Sequence, residues 1–534
     1  MIFQSPFSDV EIPAVPVHRF VLERARHLGD KPALIDGATN RVLTYGHLDE
    51  LVRRAATGLA ARGLAHGDVV AVCLPNLPEY AVVFHAVVSL GGVVAPMSPL
   101  ATTAEMVTQL SAARARYLLT VPQLMGRASP AARRAGVEEV FVLGEADGAT
   151  PLVALLGHDG TPPDVEIDVG DDLAVLPMSS GTSGLPKPVM LTHRNLVANL
   201  CQVPVLHCPT ERDTMIGLAP FCHILGLQLV MNLGLRAGAT IVTMVRPEFP
   251  EFLRLVQAHG ATRADVVPPL VLALARHPQA DQFDLSSLEV VMSSAAPLSA
   301  DMQEACSERL GCLVKQGFGM TETSPATHGH SDDPADNRPG SIGILVPGTE
   351  ARLVDPVSGV HVGPGQEGEL WIRGPQVMKG YLGDPSATAA TIDVDGWLHT
   401  GDLCRADAEG YFWVVDRLKE LIKYKGAQVA PAELEALLLT HPSVADVAVT
   451  RSPDEEAGEV PKAFVVPREP VTPQDLMAFV AERVAPHKRI RRVEMVDEIP
   501  KAPTGKILRR LLVERERAEA SQMAPEATFA KQGI

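Results

Sequence analysis

Eleven residues, Pro177-Met178-Ser179-Ser180-Gly181-Thr182-Ser183-Gly184-Leu185-Pro186-Lys187, gather four hydroxyls, two glycines and a terminal lysine between two apolar runs. The run from Leu173 to Leu176 reads as a buried strand feeding this loop, and Val189-Met190-Leu191 reads as a strand leaving it. A solvated linker has no reason to sit between two such strands in mid-domain. Glycines at 181 and 184 let the backbone fold tightly enough to turn its N–H groups inward. The hydroxyls of Ser179, Ser180, Thr182 and Ser183 add donors, and Lys187 adds a point charge. This is the chemistry of a cradle for a polyphosphate. It is not a Walker A loop, because no G-x-x-x-x-G-K-[ST] occurs in the chain.

With 534 residues the chain is too long for one core, so at least two domains are expected. Forty-seven Lys and Arg stand against 64 Asp and Glu, a formal charge of −17, which argues against general affinity for nucleic acid or an anionic membrane. Any phosphate site must therefore be built locally. The seven cysteines show neither C-x-x-C nor zinc spacing, which suits buried thiols in a reducing cytoplasm, with no disulfide and no structural metal expected. The first twenty residues carry Asp9, Glu11 and three prolines, which is no signal peptide. The most apolar region, Ile216 to Val245, is broken by Pro220, His223, Gln228, Asn232 and Arg236, so it reads as buried core and pocket wall instead of a membrane span.

From Pro32 onward, apolar runs alternate with helical patterns. Thr44 can cap a helix with Leu48, Leu51, Ala55 and Leu59 on one face. A strand at Val69 to Leu74, a helix from Tyr80 to Leu90 and a strand at Val93 to Met97 follow, the rhythm of a parallel sheet covered by helices. It recurs after the loop, with Thr192 as a cap, a helix holding Leu253 and Val256, and a strand from Ala264 to Val267. Near residue 350 the pattern changes to short strands and turns, including Gly368 to Arg373 and Tyr411 to Val415, which predicts an antiparallel barrel-like part over about 350–415. A compact mixed segment follows, with a boundary at Lys419. The division is then 1–418, 419–514 and a polar tail, 515–534, expected to fray.

Gln316-Gly317-Phe318-Gly319-Met320-Thr321-Glu322 is a second candidate for chemistry. An aromatic between glycines can lie against a purine, Thr321 can donate to a phosphate, and Glu322 is a hard oxygen ligand for Mg2+; a turn around a buried aromatic gives the same pattern. Thr400-Gly401-Asp402 with Asp416-Arg417 forms a third, since a carboxylate can accept from both ribose hydroxyls while an arginine steadies the sugar. Last come Glu420 to Gln428 and Pro500 to Leu508. Prolines and a glycine hold the latter as an exposed loop ending in Lys506, suited to delivering one cation to a site elsewhere.

Together these stretches resemble the adenylate-forming superfamily of acyl-CoA synthetases, peptide-synthetase adenylation domains and firefly luciferase, with coverage from about residue 30 to 512. The 416–426 and 428–435 stretches look most like 4-coumarate:CoA ligases and luciferase-like ligases. Departures from the family pattern fall at the nucleotide end and in the pocket. Ser183 replaces threonine, and Pro188 replaces glycine, which should leave the loop stiffer and one donor short. Phe318 replaces the tyrosine of Y-G-x-T-E, keeping the stacking and losing the phenol. Leu225 replaces a tyrosine in the motif around His223.

The resemblance implies that Ser179, Ser180, Gly181, Thr182, Ser183, Gly184, Lys187, Gln316, Gly317, Phe318, Asp402 and Arg417 bind ATP, and that Glu322 holds the metal. It implies that Thr321, His223, Lys423, Gln428 and Lys506 act in catalysis. Lys506 would neutralise charge at the α-phosphate and acyl carboxylate, and Lys419 would be the hinge. Leu225, Ser294, Ala295, Gly319, Pro325 and Ala326 fall at the acid pocket, with Ser294 where coumarate ligases have glycine and Ala326 where they have a larger residue. One end is tightened and made more polar while another is opened.

The implied fold is α/β: a large N-terminal domain of helix-covered sheets with a small β-barrel part, then a small mobile α+β lid. The implied activity is ligation of an aryl or cinnamate-like acid to CoA through an acyl-adenylate, with ATP, Mg2+ and CoA, in a cytoplasmic monomer or homodimer that uses neither nucleic acid nor membrane. The alternative passes the adenylate to a carrier protein or an amine, or activates nitrite for diazotising an aryl amine.

Overall fold

In the computed structural model, which describes residues 1–179, 187–424, 427–454, 457–502 and 505–523, the strand and helix rhythm of the first part builds two nine-stranded sheets. The first sets Leu173–Val175, Val93–Pro96, Val69–Val72, Tyr117–Thr120 and Glu139–Val142 side by side and parallel. Every residue of Val69–Val72, Val93–Pro96 and Tyr117–Thr120 is buried. Helices on both faces of a parallel sheet demand this, which is why the strands read as unbroken apolar runs. Thr44 caps Tyr45–Ala61 by accepting from the His47 N–H, and Thr192 opens His193–Gln202 in a reciprocal cap with Asn195.

The second sheet orders Leu313–Gly319, Val290–Ser293, Arg263–Val266, Thr214–Gly217, Thr240–Thr243 and Pro32–Asp36, all parallel. Beyond the C-terminal ends of its strands lie Thr321 and Glu322, Ser294, and His223, the side of an open parallel sheet where ligands bind. The apolar stretch after Ile216 is interior. It contains Leu225–Asn232, wound in the wide turns of a π-helix, and two of the carboxamides that interrupt it donate inside the fold: Gln228 to the Leu196 carbonyl at 2.7 Å and Asn232 to Gln228 at 3.0 Å. Among the described residues no helix is long and apolar enough to cross a membrane.

The part expected to be barrel-like is a five-stranded sheet in the order Phe3–Gln4, Glu350–Val354, Glu367–Arg373, Leu398–Ala406, Phe412–Arg417. Its edge strand Phe3–Gln4 is two residues long and gave no periodic signal.

The chain divides into two compact units, one of residues 1–400 and 406–413, the other of 401–405 and 414 onward. The second unit thus begins ahead of Lys419 and also takes in 401–405, because Leu403 packs in a small apolar cluster with Leu421, Ala430, Val415 and Leu418. This unit is built on a sheet in which Val444–Asp454 and Gly458–Pro467 form a long antiparallel pair, with Ile422–Tyr424, Ala427–Val429 and Arg492–Met495 beside it. The expectation of a frayed tail from 515 is corrected as far as Met523, since the helix Arg509–Met523 continues through it. Leu512 is buried, and Glu516 accepts from the Ser452 hydroxyl at 2.7 Å and pairs with Lys462. Residues 524–534 lie outside the described set.

Candidate active site

Ser179 ends the strand Met178–Ser179, opposite Lys187 in the antiparallel strand Lys187–Thr192. Ser180, Gly181, Thr182, Ser183 and Gly184 lie outside the described residues. Pro188 pairs with Met178, and its carbonyl accepts from the Leu382 N–H at 3.0 Å. The Lys187 ammonium sits 3.1 Å from a carboxylate oxygen of Asp384 and 5.3 Å from the centre of the Tyr381 ring. Asp384 caps the helix Pro385–Thr391, and the Ala387 N–H, with Lys187, holds its carboxyl below the usual range.

The second motif runs from the strand Leu313–Gly319 into a short turn, Thr321–Thr323. The Gln316 carboxamide is spent inside the fold: it accepts from the Leu298 N–H at 3.1 Å and donates to the Leu298 carbonyl and to Gln303. Gln316 therefore does not present a free side chain to a nucleotide. Gly317 and Phe318 pair with Gly329 and His328, and the half-buried Phe318 ring meets His328 edge-on at 5.8 Å. Gly319 has a steric cause, because a Cβ there would lie 2.0 Å from the Pro325 carbonyl oxygen. Thr321 is half-buried. Glu322 is buried, and its carboxylate accepts from the Tyr381 hydroxyl at 2.9 Å. Tyr381 thus joins the loop lysine to the candidate metal carboxylate, with its ring under one and its hydroxyl on the other.

His223 follows the strand Thr214–Gly217; its Nε2 is buried with no hydrogen-bond partner among the described residues, and burial pushes the imidazole pKa down, so it is neutral at pH 7. Leu225 opens the π-helical stretch and packs against the core cluster that includes Phe221, Met292 and Ala326. Ser294 is tied by its N–H to the Val266 carbonyl at 3.1 Å, while its hydroxyl is buried with no partner among the described residues. Ala295 takes a left-handed φ of +72°, which only a constrained turn imposes on a non-glycine residue. Pro325 is buried, and Asn199 grips Ala326 from both sides, accepting from its N–H at 3.1 Å and donating to its carbonyl at 2.8 Å.

In the second unit, Asp402 is 2 % exposed and lies 3.1 Å from the Arg417 guanidinium; burial raises its carboxyl and Arg417 opposes the rise. Lys506 belongs to the same charged group. Its ammonium is pushed down to about 8, first by burial and then by Arg417, with Glu420 and Asp402 pulling the other way. Arg509, one turn further on, binds Glu420 at 2.5 Å and both oxygens of Glu435 at 2.6–2.8 Å. Lys423 is exposed and stands opposite Gln428 in the strand pair Ile422–Tyr424 and Ala427–Val429.

The profile of the AMP-binding enzymes matches residues 21–382, and that of the AMP-binding enzyme C-terminal domain matches 433–506. The chain belongs to the AMP-binding, adenylate-forming enzymes. It is 43 % identical over 522 residues to 4-coumarate–CoA ligase 5 of Oryza sativa subsp. japonica, covering 95 % of this chain and 96 % of the relative. To 4-coumarate–CoA ligase 2 of Petroselinum crispum it is 42 % identical, covering 96 % of both. Among solved structures, the anthranilate CoA ligase AuaEII in complex with anthranoyl-AMP superposes with a TM-score of 0.88 at 26 % identity, covering 95 % of this chain and 99 % of that one.

As an adenylate-forming enzyme, the chain distributes its candidate groups in two sets. The first unit holds Lys187, Tyr381, Glu322 and the neutral His223. The second holds Asp402, Arg417 and Lys506 in one charged cluster. Sequence reasoning missed Tyr381, Asp384 and Arg509. A Gly-Tyr pair at 380–381 carries no local signal, and each of these residues acts on a partner far away in the chain.

Proposed function

We propose that this enzyme is an ATP-dependent acid:CoA ligase of an aryl or cinnamate-like carboxylic acid. The observation that carries the reading is the likeness to 4-coumarate–CoA ligases along nearly the whole chain. In the first half-reaction a carboxylate oxygen attacks the α-phosphorus of ATP, the bond to pyrophosphate breaks, and an acyl-adenylate forms. In the second the CoA thiol loses its proton, sulfur attacks the acyl carbon, and AMP leaves.

Each group contributes by its state. Neutral His223, as the Nε2–H tautomer, orients the acid by donating to its carboxylate. Lys506 supplies positive charge where negative charge builds at phosphorus, and Asp402 accepts from the ribose hydroxyls. Glu322 offers a hard oxygen that Tyr381 fixes in place, beside the Thr321 hydroxyl, a donor set that suits Mg2+; when bound, the ion offsets pyrophosphate charge. The seven free thiols suit a reducing cytoplasm. Transfer to a carrier protein, an amine or nitrite is not favoured by relatives that are CoA ligases.

Chromatographic analysis of products from ATP, a panel of acids, and CoA present or absent tests the reading. AMP, pyrophosphate and an acyl-CoA are expected. ADP would refute adenylation. AMP release with adenylate trapped by hydroxylamine but no thioester would refute CoA as acceptor.

A further inference from the structure

The sheet that carries Arg263–Val266 has two faces. Ala264 and Val266 turn into the core beneath the helices Phe249–His259 and Ala300–Leu310, so period-two alternation puts Arg263 and Asp265 on the other face. Met292, the register partner of Asp265, belongs to the cluster that contains Phe221, Ile224 and Ala326 and receives Leu225. Asp265 therefore stands on the face that carries the acid-pocket residues.

Arg263 and Lys315 offset part of the Asp265 charge, but neither bonds it. Lys315, fully buried, donates to the Leu206 carbonyl at 2.9 Å, the His330 carbonyl at 2.8 Å and Asp332 at 2.7 Å. Arg263 donates to the other Asp332 oxygen at 2.7 Å and faces Asp213 at 3.4 Å. The two buried cations are thus matched by two carboxylates, and Asp265 is a third. It is 1 % exposed, and neither of its oxygens has a hydrogen-bond partner among the described residues. His207 Nε2, itself buried and without a hydrogen-bond partner among the described residues, stands 3.5 Å from one Asp265 oxygen without making that bond, and burial with the nearby Lys315 and Arg263 keeps the imidazole neutral.

Buried polar groups are almost always paired, and leaving a carboxyl unpaired is costly. Two further unpartnered buried atoms, Ser294 Oγ and His223 Nε2, lie on the segments that leave the two strands flanking Arg263–Val266. Three such groups thus come from adjacent strands or the segments that leave them, and each is able to take a polar partner from a ligand.

We infer that Asp265 accepts a hydrogen bond from the ring end of the acid, so that the acid this enzyme activates carries an amino or hydroxyl donor on its aryl ring. The inference rests on the acid:CoA ligase reading and adds the class of substrate. A methyl group in the donor's place fills the same space and leaves Asp265 unpaired. A donor-bearing acid is therefore favoured over its methyl isostere on the order of 10–100-fold in kcat/KM.

The test is ATP–pyrophosphate exchange by the full-length enzyme with cinnamates bearing amino, hydroxyl, methyl or methoxy groups at the meta or para position. The amino and hydroxyl arms show which donor is preferred. Asp265→Leu is expected to reverse the ranking, losing on donor acids and gaining on methyl acids, and Asp265→Asn, which keeps an acceptor, to preserve it in weaker form. Ranking within one variant does not depend on how much of it folds. Equal rates for donor and methyl acids in the wild type, or an unchanged ranking in Asp265→Leu, would overturn the assignment. Thermal shifts of the wild type by the same acids give a second readout that needs no turnover. If no acid supports exchange, the ligase reading falls, while a larger shift by donor acids still supports Asp265 and equal shifts overturn it.

Discussion

Replacing Lys506 with methionine should make the protein more stable and less active at once. An ammonium that titrates near 8 instead of 10.5 carries a penalty of about 3 kcal/mol for keeping its proton in the folded state. Burial is the main cause, and the nearby Arg417 adds to it. Methionine fills similar space without charge, so at pH 7 Lys506→Met should exceed the wild type by up to about 3 kcal/mol in urea denaturation. The sign fixes the pH window. Between about 8 and 10.5 the unfolded chain holds a proton that the folded chain has released, so wild-type stability rises with pH there while the variant's does not. The gap is full below about 8 and closes by 10.5. Adenylation should fall on the order of 10²–10³-fold over the same comparison, because a preorganised charge is lost. A variant no more stable than the wild type at pH 7, or a gap that persists at pH 10.5, would refute the claim that Lys506 is held as a strained cation.

Three further predictions follow from the geometry. Asp332→Asn leaves Lys315 and Arg263 without their shared carboxylate, and urea denaturation should show a loss of about 3–5 kcal/mol, as expected when one partner of a buried ion pair is removed. Tyr381→Phe removes the donor that fixes Glu322; exchange kinetics should show the apparent affinity for Mg·ATP weakened by about 1–2 kcal/mol with the acid's KM unchanged. If Ser294 lines the acid pocket as we propose, its buried hydroxyl takes up room there, and Ser294→Gly should admit bulkier ring-substituted acids, read as a shift in the ranking of substituted cinnamates and benzoates.

The fold was legible where chemistry is local. Thr44 and Thr192 are caps by their own side chains, and strands such as Val69–Val72 announce themselves because burial on both faces leaves no polar residue in them. What escaped depends on distant partners. Tyr381 acts on Glu322 across 59 positions, and Arg509 binds Glu435 across 74. Gln316 sits in a motif that suggests a ligand contact, yet its carboxamide serves the Leu298 backbone, which no spacing rule reveals. Asp265 read as one residue of an apolar strand, and its lack of a hydrogen-bond partner among the described residues shows only once Lys315 and Arg263 are seen to be matched by others.

The close approach at Gly319 bears on any attempt to redesign this enzyme's substrate range. The Gly319 backbone lies so near the Pro325 carbonyl that the turn we propose for the nucleotide and the wall we propose for the acid are two sides of one folded strip, clamped from behind by Asn199 on Ala326. Widening or filling the wall at Ala326 moves the clamp, and the clamp moves the turn. Libraries built at 325–326 should therefore be screened against both substrates, because variants selected for a new acid will carry altered kinetics for ATP, and a compensating change at Asn199 belongs in the same library.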